Sequence, residues 1–336
     1  MGAPTSTTLG VFGYLPGQPD FVRVRAAGRE VRRLEEWLER GLHQARWEMG
    51  GGFSVSYPRL FHRFVFRPDN SERVVAGILC ASVDCHQRPF PFVAFDLVPT
   101  ALWDRAPAAF VGRNSGFFAA MERLVRTLGP LPHIGQVHGQ LVGTQAAPLL
   151  DDAQGDAEDR AAEESRYLNF LQETACSELG APGQGAGLAL CHELIGLVGS
   201  GQDPRLLRQA LLLPLCRPPF ARELEIRFYL SFLLTLLAAQ RPTVTMLWQL
   251  GGAAPGALTL SFREPSFDVF SALLSESGGA RGVHRLGATT TTTTAPLSRP
   301  RPELTDATSL HTLLEVLAGK TQRPDIGLRG RTGNGT

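Results

Sequence analysis

The stretch Ala76–Leu97, AGILCASVDCHQRPFPFVAFDL, reads as strand, polar turn, strand. Val74–Leu79 and Phe92–Leu97 are near-continuous apolar runs of strand length, the pattern of strands buried on both faces rather than of a half-exposed edge. Between them stand Ser82, Asp84, His86 and Arg88. A polar cluster at the shared end of two buried strands carries a desolvation cost, so it either braces the turn or touches a partner.

The rest of the composition sets bounds on what such a core can belong to. A chain of 336 residues with 43% hydrophobic content can bury one large core or two smaller ones. Thirty-three basic against 32 acidic residues leave a formal charge of +1, which gives no global field for capturing nucleic acid or an anionic membrane. Almost all the cations are arginine, with Lys320 the sole lysine. The opening MGAPTSTTLGVFGYLPG lacks a basic n-region followed by an apolar h-region, so no signal peptide is read and a cytoplasmic location is expected.

Cysteine usage argues against a disulfide framework and a zinc knuckle alike. Cys80, Cys85, Cys176, Cys191 and Cys216 are odd in number and form no CxxC pair. Cys80, Cys85 and His86 are close in sequence, yet no second Cys/His pair at ligand spacing completes a tetrahedral site, and no metal or cofactor is expected. Cys191-His192-Glu193 begins like a zincin helix, but the position four after His192 is Gly196.

In chain order, Leu9–Leu15 reads as a short first strand, followed by the turn Pro16-Gly17-Gln18-Pro19 and Asp20-Phe21-Val22-Arg23. Val31, Leu34, Leu38, Leu42 and Ala45 recur at helical spacing, with Trp37 beside them, until Gly50-Gly51-Gly52. Leu60–Phe66 is a second strand. Phe117, Phe118, Met121, Leu124, Val125 and Leu128 form a helical stripe capped at Asn114 or Ser115. The acidic stretch 151–164 leads into a helix carrying Leu168, Leu171, Ala175 and Leu179, and Gly180–Gly187 is a flexible joint. Helices are expected at 188–199 and 205–216. Ile226–Ala239 is strongly apolar but short of the ~20 residues that span a bilayer, and Arg227 lies inside it, so a buried helix is expected and no membrane insertion. Thr243–Leu250 and Ala257–Phe262 form a hairpin, and Phe267–Leu274 a closing helix. Residues 279–336, with six threonines at 289–294 and an Arg/Pro/Gly-rich end, read as a disordered tail apart from a helix at Leu310–Leu317.

Five motifs in order resemble one family. They are Gly10-Val11-Phe12-Gly13-Tyr14-Leu15-Pro16, Asp20-Phe21-Val22-Arg23, Glu35-Glu36-Trp37-Leu38, Phe61-His62-Arg63-Phe64, and Ala76-Gly77-Ile78-Leu79 with Ser82-Val83-Asp84 and Arg88-Pro89-Phe90-Pro91. This order is similar to that of the TagF (ImpM) family, accessory proteins of bacterial type VI secretion, over residues 9 to about 97. A fainter likeness covers 243–274, around Trp248-Gln249-Leu250-Gly251 and Phe270–Leu274. The family pattern has lysine at Tyr14, tryptophan at Phe61, and glycine at Pro19 and Gln87, which predicts altered backbone angles in both turns.

The resemblance implies an α/β fold, a three-layer α/β/α sandwich with a mixed central sheet, and the alternation of strand and helical runs agrees with it. Residues 1–130 would form the TagF-like α/β region, 131–278 a helical region with the late hairpin and closing helix on the same sheet, and 279–336 the tail. The resemblance further implies a non-enzymatic role, post-translational restraint of type VI secretion through a cytoplasmic forkhead-associated scaffold protein. Some family members carry a fused phosphatase; the carboxyl end of this sequence lacks the acidic metal-ligand motifs for one. Tyr14, Asp20, Arg23, Ser82, Asp84 and Arg88 are the candidates for partner binding or for bracing the site. Asp84 and Arg88 read as a turn-bracing ion pair or a partner contact. The rival readings are a hydrolase using Ser82, Asp84 and His86, residue types of an acyl-transfer triad but crowded into one short turn with no Gly-x-Ser-x-Gly elbow, and an adaptor outside secretion.

Overall fold

The computed structural model describes residues 9–128, 134–143, 157–179, 186–199, 209–217, 219–238, 242–249, 256–275, 283–286, 304–305 and 307–319. The joint at 180–185, the acidic start at 151–156, the hairpin loop at 251–255, the threonine tract and most of 279–336 lie outside them.

The described strands are β1 (Gly10–Gly13), β2 (Val22–Val24), β3 (Phe61–Phe66), β4 (Arg73–Cys80), β5 (Phe92–Pro99), β6 (Ala210–Leu215), β7 (Thr245–Gln249), β8 (Gly256–Ser261) and β9 (Val283–Arg285). They form one sheet in the order β2-β1-β5-β4-β3-β7-β8-β6-β9. Every pairing is antiparallel except β6 with β9, so the sheet is mixed. The pair β4–β5 is the longest, running in register from Arg73↔Pro99 to Cys80↔Phe92. Its residues alternate between two cores: Ala76, Ile78, Phe92 and Ala94 face one side, Val75, Leu79, Val93 and Phe95 the other. That is why both runs are apolar throughout.

The described helices are α1 (Arg29–Met49), α2 (Phe53–Ser56), α3 (Thr100–Arg105), α4 (Pro107–Arg113), α5 (Ser115–Leu128), α6 (Ile134–Gly143), α7 (Ala157–Glu173), α8 (Ala186–Gly199), α9 (Pro219–Leu236), α10 (Asp268–Leu274) and α11 (Leu310–Gly319). One face of the sheet is covered by α1 and α10. They cross at Gly41, where a Cβ would meet Phe270 Cβ at 2.5 Å, and the Trp37 indole donates to Ser266 O at 3.0 Å. The opposite face is covered by α5 and α9 with the outer helices against them. The result is a three-layer α/β/α sandwich with extra helices on one side. In α9, Ile226, Phe228, Tyr229, Leu230, Phe232 and Leu233 are all fully buried, while Arg227 reaches Glu163 at 3.2 Å and also pairs with Glu164. Among the described residues no helix is long and apolar enough to cross a membrane.

Three expectations are corrected. The leucine-rich run expected as a helix at 205–216 contains β6, which pairs with β8 along its length and with β9 only over Ala210–Leu212. Pro214, with no N–H to give, lies past the β9 pairing and meets one neighbour only. A run apolar on all sides satisfies the helix and the doubly covered strand equally, and tertiary pairing decides. On α7 the buried stripe is Tyr167, Phe170 and Leu171, leaving Leu168 exposed. In the segment read as disordered apart from a helix at Leu310–Leu317, β9 joins the sheet, while α11 is the expected helix and buries Leu310, Leu313 and Leu317. Cys176 N–H donates to Thr308 O at 2.8 Å and Leu310 N–H to Thr174 O at 2.9 Å, so the chain after 304 is tied to the end of α7 by main-chain bonds as well as by an apolar face.

Candidate functional site

The turn between β4 and β5 is built around one buried carboxylate. Asp84 has no exposed surface; its Oδ1 accepts the main-chain N–H of His86 at 2.9 Å and of Arg88 at 2.8 Å, and its Oδ2 accepts Arg88 Nε. Main-chain bonds from Asp84 N–H to Arg88 O and from Gln87 N–H to Asp84 O, both 3.1 Å, close the loop, and a Val83–Pro89 bridge seals its base. Burial works against the charge on Asp84, but the N–H groups of Arg88 and His86 and the guanidinium outweigh it and hold the carboxyl below its usual range. Gln87 sits at φ 61, in the left-handed region that glycine enters without cost. The expected change of backbone angle at this position is therefore corrected: the angle is glycine-like although the residue is not.

The segment after β1 packs onto this turn. Gly13 has φ 124, and a Cβ there would lie 2.2 Å from Pro91 O, so only glycine lets β1 pass β5 this closely. Tyr14 follows, half-buried, with its ring edge-on to Phe21 and Phe90. Its carbonyl accepts the Ser82 hydroxyl at 2.7 Å, Gln18 O accepts Cys85 N–H at 3.0 Å, and Pro19 O accepts Arg88 Nη2 at 2.9 Å. The Arg88 guanidinium lies 5.6 Å from the Tyr14 ring centroid, a cation–π distance.

Tyr14, Ser82, Asp84 and Arg88 thus come together. Asp20 is exposed and follows Pro19 on the same rim. Arg23 is directed elsewhere: it makes a bidentate pair with Glu35 on α1 at 2.6 Å and donates to Ala26 O at 3.2 Å. The triad arrangement is not assembled, since the Ser82 hydroxyl is given to a main-chain carbonyl and Asp84 takes the main-chain N–H of His86 rather than its ring. Among the described residues no three His, Cys, Asp or Glu side chains are grouped to hold a metal ion.

Tyr57 is a site residue that sequence reasoning missed. It sits in a 3-10 turn (Tyr57–Arg59), its hydroxyl donates to Ser82 O at 2.9 Å and accepts Ser82 N–H at 3.2 Å. Burial pushes this phenol far above its usual range, so it stays neutral. The only sequence signal was an aromatic before proline ahead of β3. Beside it lies a cavity of about 420 Å³, walled by Leu15, Pro16, Tyr57, Pro58, Ala81, Phe92 and Val125.

Among proteins of curated function none matches the chain. Of solved structures, the crystal structure of PA0076 from Pseudomonas aeruginosa PAO1 is similar at 17% identity, with 81% of this chain and 96% of that one covered and a TM-score of 0.49. Residues 10–136, which carry β1 to β5, the buried turn and α5, match the TagF N-terminal domain, a type VI secretion system-associated family.

Proposed function

We propose that this chain is a non-enzymatic accessory protein of bacterial type VI secretion, a cytoplasmic post-translational negative regulator that acts by binding a forkhead-associated scaffold protein. The observation that carries the reading is the overlap of the TagF-matching residues with a rigid, exposed turn whose polar groups are occupied with one another. Ser82 and Asp84 hold the turn from inside. Arg88, with 57% of its side chain exposed, the Tyr14 ring beneath it and Asp20 on the rim form its outer surface. A preformed surface of this kind binds without an ordering cost, and Arg and Tyr are the residue types that dominate interface energies.

Deleting the gene in its host, under conditions where the apparatus is expressed, is expected to raise type VI secretion. Unchanged or reduced secretion overturns the negative-regulator reading. Pull-down of the forkhead-associated protein is expected to fall about tenfold or more for Arg88→Ala and Tyr14→Ala, about 1.4 kcal/mol. Full retention by both variants removes the turn from the interface.

A further inference from the structure

We propose that the apolar cavity beside the turn docks a partner polypeptide segment in which a large apolar side chain stands beside a carboxylate, the side chain filling the cavity and the carboxylate pairing with Arg126. This rests on the binding role proposed above and names the chemistry of the bound segment.

The cavity has apolar walls drawn from four places: Leu15 after β1, Tyr57 and Pro58 before β3, Ala81 after β4 and Val125 on α5, with Phe92 as floor. Its volume of about 420 Å³ lies in the range of roughly 300–1,000 Å³ seen for ligand sites. The polar groups along it are already satisfied: the Tyr57 hydroxyl and the Ser82 main chain bond each other, and the Ser82 hydroxyl is given to Tyr14 O. Cys80 gives its thiol to Phe92 O at 3.6 Å; burial pushes it up to about 12 although Arg126 pulls the other way, so it is neither an anion nor a nucleophile at neutral pH. The interior therefore asks for an apolar group.

Charge enters at the rim. Arg126, one residue after Val125, is exposed and lies 5.1 Å from the ring centroid of Phe61, whose strand partner is Cys80. It has no carboxylate partner among the described residues. By contrast Arg63 is held by Glu122 and Glu223, Arg67 by Asp104, and Arg227 by Glu163 and Glu164. A cation stacked on an aromatic ring and close enough to act on Cys80 in the slot wall complements a carboxylate next to an apolar side chain. A polyanion would need a field that the formal charge of +1 does not supply. The walls are tied together by the Tyr57–Ser82 bonds, so the slot exists before the segment arrives.

A photo-crosslinking benzoylphenylalanine placed at Pro58, on the exposed rim, in the full-length chain in its host reports the occupant. Mass spectrometry is expected to recover a partner peptide with Leu, Ile, Met or Phe beside Asp or Glu. Arg126→Glu, a change at an exposed position, is expected to cut that crosslink and the matching pull-down about tenfold or more. Changing the partner's acid to lysine is expected to restore both. A crosslink to lipid, to a second copy of this chain, or to a peptide without such a pair overturns the proposal, as does a crosslink indifferent to Arg126→Glu. If Ala81→Arg, which fills the slot, lowers the melting temperature, the Arg126 arm still decides. The two readings separate: Arg126→Glu that leaves scaffold pull-down and secretion intact sinks the docking slot alone, whereas the expected crosslink to a protein outside secretion sinks the regulatory role alone.

Discussion

Arg88 is bound to Asp84 twice, through its main-chain N–H at 2.8 Å to Oδ1 and through its guanidinium to Oδ2, so one buried carboxylate holds both the backbone and the side chain of the same residue. The two members of the pair are nevertheless unequal. Asp84 is enclosed and Arg88 is mostly outside. Asp84→Ala strands the N–H groups of His86 and Arg88 in a buried loop, and the melting temperature is expected to fall by about 5 °C or more. Arg88→Ala leaves those bonds in place and is expected to cost less than about 2 °C. Thermal scans of the two variants check this, and equal losses refute the asymmetry. Because the Asp84 carboxyl is held below its usual range, its contribution is complete above the unfolded value near pH 4 and is lost as pH falls through the lower folded value.

Gln87 stands at φ 61 with its neighbours fixed by Asp84, so its backbone cannot relax without breaking the turn. A left-handed angle costs an L-residue about 1–2 kcal/mol, most for β-branched side chains. Gln87→Gly is expected to be neutral or to stabilise by up to about 1 kcal/mol, the relief of strain being offset in part by glycine's larger chain entropy. Gln87→Val is expected to destabilise by about 1–2 kcal/mol. Chemical denaturation gives both numbers, and the opposite order would show that the loop is not held at this angle.

Removing the chain after residue 275 takes away β9 and the buried face of α11. Leu310 and Leu313 are wholly enclosed, and Leu313→Ala alone is expected to cost about 2–5 kcal/mol. The truncated protein is expected to melt well below the full chain. Equal melting temperatures would mean that the last helix contributes nothing to the core.

What could be read from the sequence follows from how local the signal is. The β4–turn–β5 unit was legible because each run has the length of one strand and both its faces are buried. The helix from Val31 onward was legible through its 3.6-residue period, broken at Gly50. The strand at 210–215 was not, because four leucines and a proline carry no period, and β6 is selected only by partners 41 and more residues away. Asp84 and Arg88 were recognisable as a pair, since they are four apart in one turn. That Arg23 belongs to Glu35 depends on where α1 lies across the sheet. Tyr57 was hidden for the same reason, its bonds being 25 residues distant.

Two buried titratable groups, one on a covering helix and one in the sheet, act against each other with pH. Glu225 on α9 has no exposed surface; burial raises its carboxyl to about 7 despite the N–H groups of Arg217 and Cys216 at 3.3 and 3.5 Å and the nearby guanidinium groups of Arg217 and Arg222. His62 on β3 is 3% exposed, its Nδ1 has no partner among the described residues, and burial lowers it to about 4. Between about pH 4.5 and 7 the folded protein keeps a proton on Glu225 that the unfolded chain has released, so stability falls as pH rises. Between about pH 4 and 6.5 the unfolded chain binds a proton at His62 that the folded protein refuses, so stability falls as pH drops. At about 1.4 kcal/mol per pH unit of displacement, each effect amounts to about 3 kcal/mol and the two largely offset. Glu225→Gln is therefore expected to lose stability relative to the parent on going from pH 7 to 4.5, and His62→Leu to gain it. The quantity to compare is variant minus parent, because burial also raises Glu163, Glu223 and Asp96 and tilts every curve alike. Denaturation at four or five pH values settles the signs, and two variants that both track the parent would show that neither group titrates inside the fold.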